Sequence, residues 1–154
     1  MRSRRWWPSA AKSKSNGINT TMAMIAVDTN VLVRLFVNDD MLQSQKARAL
    51  FDMYVDSVES LWIADVVMLE LAWILERIYE FSRADIRAAL KALAGNATVS
   101  LESMQQVNEA ITLYEQGPAG FPDCLLAAKA RHAGCDALRT FDKKMKALPG
   151  VKLL

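Results

Sequence analysis

Four acidic side chains occupy the positions in this sequence that are best suited to metal chemistry. Asp28 directly follows a short apolar run, and Asp142 follows another after three linking residues. Asp123 lies in the first turn of a predicted helix, after a Gly-Pro-Ala-Gly break, and Glu70 lies inside an otherwise apolar helical stretch. Carboxylate oxygens without cysteine or histidine favour Mg²⁺ or Mn²⁺ over zinc. The sequence therefore predicts a divalent-metal site, provided that the fold brings these acids together.

Each of these acids, taken alone, also has a purely structural interpretation. Asp28 and Asp142 are suited to cap the turns that follow them, and Asp123 to stabilise a helix N-terminus through the helix dipole. Glu70 on a buried helix face requires a partner, for which Arg34 is a candidate. Four carboxylates at one sheet edge, however, repel each other unless a cation lies among them. Their joint placement favours the metal site.

Short apolar runs alternate with helical patterns from Met24 onward. The runs predict strands, and the amphipathic or largely apolar stretches between them predict helices. Ser82 and Asp85 resemble a capping box that opens one helix, which Gly95 closes. The predicted strands cover residues 24–27, 61–63, 97–100, 137–138 and 151–154, and the predicted helices cover residues 39–55, 66–79, 82–95, 102–116, 122–133 and 142–148.

This alternation of strands and helices indicates the fold class. It implies right-handed crossovers and a parallel sheet that is covered on both faces. The expected fold is an α/β domain of three layers, α/β/α, with a central, mostly parallel sheet of four to five strands. Ligands of such sheets bind beyond the carboxyl ends of the strands. The four acids are placed at or near that edge.

The composition is that of one globular domain preceded by a basic segment. Hydrophobic residues make up 52% of the 154 residues and charged residues 23%, which is ordinary for a globular protein. Residues 1–23 contain five basic residues, no acid and no periodicity, so we interpret them as a disordered basic tail or an upstream extension of the reading frame. The domain, residues 24–154, contains 14 basic and 17 acidic residues, so its average charge does not indicate nucleic-acid binding.

The cysteine count and the hydropathy favour a cytoplasmic protein without a membrane segment. Cys124 and Cys135 are too few for a disulfide scaffold, and His132 is the only histidine, so a zinc site is not indicated. No apolar run approaches the roughly 20 residues that a bilayer requires. The basic tail lacks the continuous apolar region of a secretory signal.

The segments around the four acids resemble the motifs of PIN domains. Residues 25–32 (IAVDTNVL) resemble the opening motif, in which a strand is followed by Asp-Thr/Ser-Asn. Glu70 matches the second acid, residues 121–128 (FPDCLLAA) resemble the third-acid motif, and residues 138–142 (LRTFD) the fourth. All four occur in order across residues 24–154. The resemblance implies a PIN fold and a metal-dependent endoribonuclease that hydrolyses RNA phosphodiester bonds with Mg²⁺ or Mn²⁺.

The resemblance also implies a role for individual residues. Asp28, Asp123 and Asp142 would bind the metal, and Glu70 would complete the acidic pocket. Further residues are expected around them. Hydrogen-bonding support would come from Thr29, Asn30 and Thr140; candidate phosphate contacts are Arg34, Lys143, Lys144 and Lys146, of which the three lysines are equally interpretable as solvated surface. Pro122 and Cys124 depart from the commonest form of the third motif, and Cys124 is expected to be a packed helix residue.

The small size of the chain favours one branch of this family. A short PIN protein without an appended domain resembles a VapC-like toxin of a type II toxin–antitoxin pair. That implies a small antitoxin partner and a homodimer, for which the apolar content of the early helices is an argument, although a core role explains it as well. The residues concerned are Leu42, Phe51, Met53 and Tyr54.

Other interpretations of the acids stay open at this point. An RNA-processing PIN nuclease without an antitoxin would share the whole site. An aspartyl-nucleophile phosphatase also begins with a strand and an aspartate, but it requires a second acid where this chain has Asn30. A receiver domain requires paired acids after its first strand, where Asp28 stands alone. A PIN fold that binds metal or a partner without catalysis is the remaining alternative.

Overall fold

A computed structural model describes residues 23–154 of the chain. Three short parallel strands form a sheet in the order β1-β2-β3. All of their residues except Ser100 are apolar, and Leu61 and Ile63 are wholly buried. The strands are β1 (Ile25–Ala26), β2 (Leu61–Ile63) and β3 (Val99–Leu101). The predicted tail lies outside the described residues, except for Ala23.

Six helices connect and cover these strands within residues 23–154. Five of them lie where the sequence patterns predict helices. The sequence does not predict the other, α1, because residues 31–36 are almost all apolar and include valines, which have low helix propensity. The helices are α1 (Thr29–Phe36), α2 (Met41–Met53), α3 (Asp65–Arg77), α4 (Arg83–Ala94), α5 (Met104–Gln116) and α6 (Phe121–His132).

The C-terminal strands form a separate parallel pair. Strands β4 (Leu138–Thr140) and β5 (Val151–Leu153) pair with each other, and a short 3₁₀ turn (Lys143–Ala147) connects them. The sequence predicts one central sheet of four to five strands, whereas backbone hydrogen bonds group the five described strands into a sheet of three and a sheet of two. Every strand pairing is parallel, as predicted.

Local sequence features account for both ends of α4 and for the start of α6. Ser82 Oγ accepts a hydrogen bond from the Asp85 amide at 3.1 Å and donates to the Asp85 carboxylate at 2.7 Å. Gly95 ends the same helix, α4, so the predicted capping residues are confirmed. Gly120 precedes α6, and Pro122 occupies its first turn, where a missing amide proton costs little.

The hydrophobic core lies between the sheet and the helices that cover it. Helix α3 contributes one fully buried face through Met68, Leu71 and Leu75, while Val66 and Trp73 on its other face are more than half exposed. The apolar stretch around Glu70 predicts a largely buried helix, and this prediction is wrong because α3 is buried on one face only. No helix within residues 23–154 has both the length and the hydropathy of a membrane span.

Candidate active site

Asp28 follows β1 and leads directly into α1. Its backbone is extended (φ −81°, ψ 157°), and its carboxylate makes no capping hydrogen bond to the helix. The residue is exposed to solvent. The capping role that the sequence allowed for Asp28 is therefore wrong. Its carboxylate oxygens are free to accept a cation.

Glu70 lies beside the start of α1. Thr29, which is 3% exposed, donates a hydrogen bond from Oγ1 to Glu70 Oε2 at 2.6 Å. Glu70 itself lies on the exposed side of α3, so the expectation that it is a carboxylate on a buried helix face is wrong. Arg34 is not its partner. Because Thr29 directly follows Asp28, this hydrogen bond connects Glu70 to the segment that carries Asp28.

Asp123 lies in the first turn of α6 and is partly buried. Burial raises the pKa of its carboxyl above the ordinary aspartate value, and the negative charge of Asp142 raises it further. The Gly120 backbone and the positive charge of Lys144 lower this pKa and oppose the rise. A Cβ at Gly120 would lie 3.4 Å from Asp123 Oδ2, which is an ordinary van der Waals contact, so Gly120 and the carboxylate lie next to each other.

Asp142 is held in place after β4 by two hydrogen bonds. Its amide donates to Thr140 Oγ1 at 3.0 Å, and its Oδ1 accepts from the Lys144 amide at 2.8 Å. The structural interpretation of Asp142 as the cap of its short helix is therefore confirmed. Asp142 is exposed, and its negative charge raises the pKa of Asp123.

Helix packing relates these two pairs of acids to each other. Helix α3 carries Glu70, α6 carries Asp123, and the two helices pack together. Lys129 on α6 forms an ion pair with Asp65, the first residue of α3, and the Asp65 carboxylate also accepts from Ser103 Oγ at 2.8 Å. We call Asp28 and Glu70, which are connected through Thr29, one pair of acids, and Asp123 and Asp142, whose charges interact, the other pair.

The donor set has the chemistry that a hard divalent cation requires. All four side chains offer carboxylate oxygens, and a bound cation would offset the rise in the Asp123 pKa that burial and the charge of Asp142 cause. Among the described side chains, no three acidic, histidine or cysteine groups lie close enough together to form a metal-binding group as they stand. The residues therefore fit Mg²⁺ or Mn²⁺ by chemistry and meet as pairs in geometry.

Arg34 and Asn30 lie on α1 beside this region. Both line a cavity of about 330 Å³ between α1 and α2. The Arg34 guanidinium forms an ion pair with Asp39 and donates from Nε to Gln43 Oε1 at 2.8 Å. The hydrogen bond to Asp39 raises the pKa of Arg34, while Tyr79, which donates to Asp39 at 2.7 Å, and Arg34 together lower the pKa of Asp39. A phosphate contact by Arg34 stays a prediction.

Arg83, which the sequence analysis missed, holds the segment that leads to Asp123. Its guanidinium donates to the carbonyl oxygens of Tyr114, Gly117 and Ala119 at 2.6, 2.6 and 2.7 Å. It also lies 3.8 Å from the centre of the Tyr114 ring. An arginine after a helix cap looks like an ordinary surface residue in the sequence. Only the tertiary contacts show that it fixes the approach to α6.

Cys124, next to Asp123, has no role in this chemistry. It is fully buried, and burial raises the pKa of its thiol to about 11. The thiolate form is therefore rare at neutral pH. The expectation of a packed helix residue is confirmed.

Comparison with known proteins identifies the class to which this fold and site belong. The PIN domain family matches residues 25–151, which is most of the chain. The chain therefore belongs to the PIN-domain family, and the predicted three-layer α/β/α class is confirmed. Membership in this family argues against the phosphatase and receiver interpretations of the acids.

A relative within this family has the name VapC ribonuclease and comes from Aquifex aeolicus (strain VF5). The chain is 27% identical to it over 125 residues, which cover 81% of this chain and 92% of the relative. The resemblance to VapC-like PIN nucleases, stated above from the motifs, is confirmed by this similarity.

The raised pKa of Asp123 predicts that its ionisation opposes folding. A carboxyl whose pKa is higher in the folded than in the unfolded chain binds more protons when folded, so the free energy of unfolding falls as the pH rises through that pKa. We expect Asp123→Asn, measured in chelator, to be more stable than wild type at about pH 7, with the difference shrinking toward about pH 4. Asp136→Asn, at an exposed carboxylate before β4, controls for the lost charge. A less stable Asp123→Asn protein at neutral pH would contradict this.

The contacts of Arg83 predict that its loss loosens the segment before Asp123. We expect Arg83→Gln to lower the free energy of unfolding by about 2 kcal/mol, because charged hydrogen bonds to carbonyls are lost. Hydrogen exchange of the amides in residues 117–124 should accelerate at the same time. The matched control is Arg87→Gln, one turn along α4, which removes an ion pair with Glu115 and no contact to this segment. Equal exchange in both variants would refute the assignment.

Proposed function

We propose that this protein is a divalent-metal-dependent endoribonuclease that hydrolyses RNA phosphodiester bonds. The observation that carries the proposal is the placement of four carboxylates in two pairs, at strand ends and on packed helices, in a PIN-domain fold. The similarity to a protein named VapC ribonuclease supports RNA as the substrate.

In this proposal Asp28, Asp123 and Asp142 hold Mg²⁺ or Mn²⁺, and Glu70 completes the acidic pocket. The metal, when bound, supplies charge neutralisation at the scissile phosphate and lowers the pKa of the attacking water. Thr29 orients Glu70 through its 2.6 Å hydrogen bond. Such supporting contacts commonly affect metal affinity or activity about 10–100-fold.

The remaining residues near the acids set the position and charge of the pocket. Thr140 fixes the backbone of Asp142 through a 3.0 Å hydrogen bond, and the backbone of Gly120 forms a hydrogen bond with Asp123 that lowers its pKa. Lys144 is close enough for its charge to act on Asp123. A positive charge at this border reduces the repulsion that an approaching RNA phosphate meets at an acidic pocket.

We further propose that the protein is the toxin of a toxin–antitoxin pair and acts in the cytoplasm. The relative's name and the size of the domain support this. The partner would be a small antitoxin protein that blocks the acidic pocket.

A homodimer is part of the same proposal. Of the four apolar residues of the early helices that were expected to support it, only two are exposed. Phe51 and Tyr54 are buried in the core, whereas Leu42 and Met53 are exposed by 71% and 65%. More than half of the surface of three apolar side chains on the packed helices α3 and α6 is also exposed, which supports a second copy there. These side chains are Val66, Trp73 and Leu126.

The direct test of this function is RNA cleavage by the purified protein with Mg²⁺, with Mn²⁺ and with chelator. We expect cleavage only with metal, and a loss of more than about 100-fold in Asp28→Asn and in Asp123→Asn, because each removes a ligand oxygen charge rather than a supporting contact. Asp136→Asn, outside the site, should retain wild-type cleavage. Undiminished cleavage in the site variants would end the proposal, and metal binding without any cleavage would indicate a non-catalytic PIN domain.

A further inference from the structure

Charge is distributed very unevenly along the folded domain. Residues 138–154, which form β4, the 3₁₀ turn and β5, contain five basic residues and one acid, Asp142, a net charge of +4. Residues 24–137 contain nine basic and 16 acidic residues, a net charge of −7. We call residues 138–154 the C-terminal basic unit. Its basic residues are Arg139, Lys143, Lys144, Lys146 and Lys152.

The cations of this unit lack the carboxylate partners that several other cations of the domain have, and they share this with Lys46, Arg48 and Arg77, which are spread over α2 and α3. Arg34, Lys129 and Arg131, for example, form ion pairs with carboxylates of other elements. Among residues 23–154, the five basic side chains of the C-terminal basic unit form no ion pair or hydrogen bond, and all five residues are exposed. Their charge is therefore available to an external anion.

Two of these cations lie side by side. Arg139 and Lys152 are register partners in the parallel pair β4–β5, and each is the exposed middle residue of its strand. Like charges on neighbouring strand positions repel and destabilise the pair. Nothing in the packing requires cations at both exposed positions. The arrangement is explained if an anion binds across them.

An exposed aromatic ring lies in the same unit, directly before a site acid. Phe141 is 81% exposed, which is the highest value among the exposed large apolar residues of the described chain. It continues the alternation of exposed residues along β4, two positions after Arg139. A solvated ring with cations on either side in the sequence has the composition of a surface for stacked bases and phosphates.

We propose that the C-terminal basic unit binds single-stranded RNA, with its cations on the phosphates and the Phe141 ring stacked on a base. The proposal rests on the proposed function and names the surface that holds its substrate. Asp142 lies within this unit, and Lys144 is close enough to influence Asp123, so a strand bound here is led to the acidic pairs. Single-stranded RNA is favoured over an acidic peptide because an exposed ring accompanies the cations.

Binding is tested without turnover in an Asp28→Asn background, with a short fluorescent single-stranded RNA in Mg²⁺ at several salt concentrations. Arg139→Gln with Lys152→Gln should weaken binding and reduce the slope of log affinity against log salt by about 1.4, because each phosphate contact contributes about 0.7. Arg48→Gln with Arg77→Gln removes the same charge from α2 and α3 and should leave the slope unchanged. An unchanged slope in the first variant, or an equal loss in the second, would overturn the proposal.

The ring is tested separately in the same background. Phe141→Leu should weaken binding about tenfold without changing the salt slope, because a base loses its aromatic partner, and Phe141→Trp should restore it. Equal affinity of the Leu and Trp variants would overturn stacking. A change in oligomeric state with unaltered RNA affinity would instead assign Phe141 to a protein contact and also overturn it.

These outcomes are distinguishable from failure of the proposed function. If the wild-type protein cleaves RNA with metal and the variants of the C-terminal basic unit bind RNA normally, only the proposed RNA-binding surface is refuted. A wild-type protein that binds RNA through the unit but never cleaves it refutes only the nuclease.

Discussion

Repulsion between carboxylates is the constraint on which this structure depends. Asp123 and Asp142 are close enough for the charge of one to raise the pKa of the other, and burial of Asp123 adds to the cost. The Gly120 backbone and Lys144 offset part of this repulsion, and Thr29 donates to the other pair at Glu70. A protein under selection for stability alone would not place these charges together. Their placement together fits the divalent-metal site that we propose.

The scaffold holds the acids through elements that are rigid for separate reasons. The carboxyl ends of parallel strands lie at a common edge of the sheet, and Asp28 lies at this edge, two residues after β1. Helix α3 is fixed by a buried apolar face and by the ion pair between Asp65 and Lys129 on α6. Arg83 binds the segment between α5 and α6 through three carbonyl groups. The C-terminal basic unit adds positive charge beside an acidic domain, and in our proposal it separates the binding of RNA from its hydrolysis.

Local sequence was sufficient for the strands and for five of the helices, because hydrophobic periodicity and caps act over a few residues. It was insufficient for α1, because the run of valines and leucines in α1 resembles a strand. It also did not predict that β4 and β5 form a sheet separate from the other three strands. The surroundings of Glu70 were misjudged, since apolar neighbours in sequence do not reveal that α3 exposes Val66 and Trp73. Arg83 and the Thr29–Glu70 hydrogen bond depend on contacts between distant segments, which no local pattern contains.

We propose above that Asp28, Asp123 and Asp142 hold a divalent metal and that Glu70 completes the pocket. Anomalous diffraction from crystals soaked in Mn²⁺ locates such an ion directly. The account predicts a manganese peak bounded by the carboxylates of Asp28, Asp123 and Asp142, and no peak in crystals of Asp123→Asn. A peak at some other group of residues, or a saturated crystal with no manganese near Asp28 and Asp123, would contradict it.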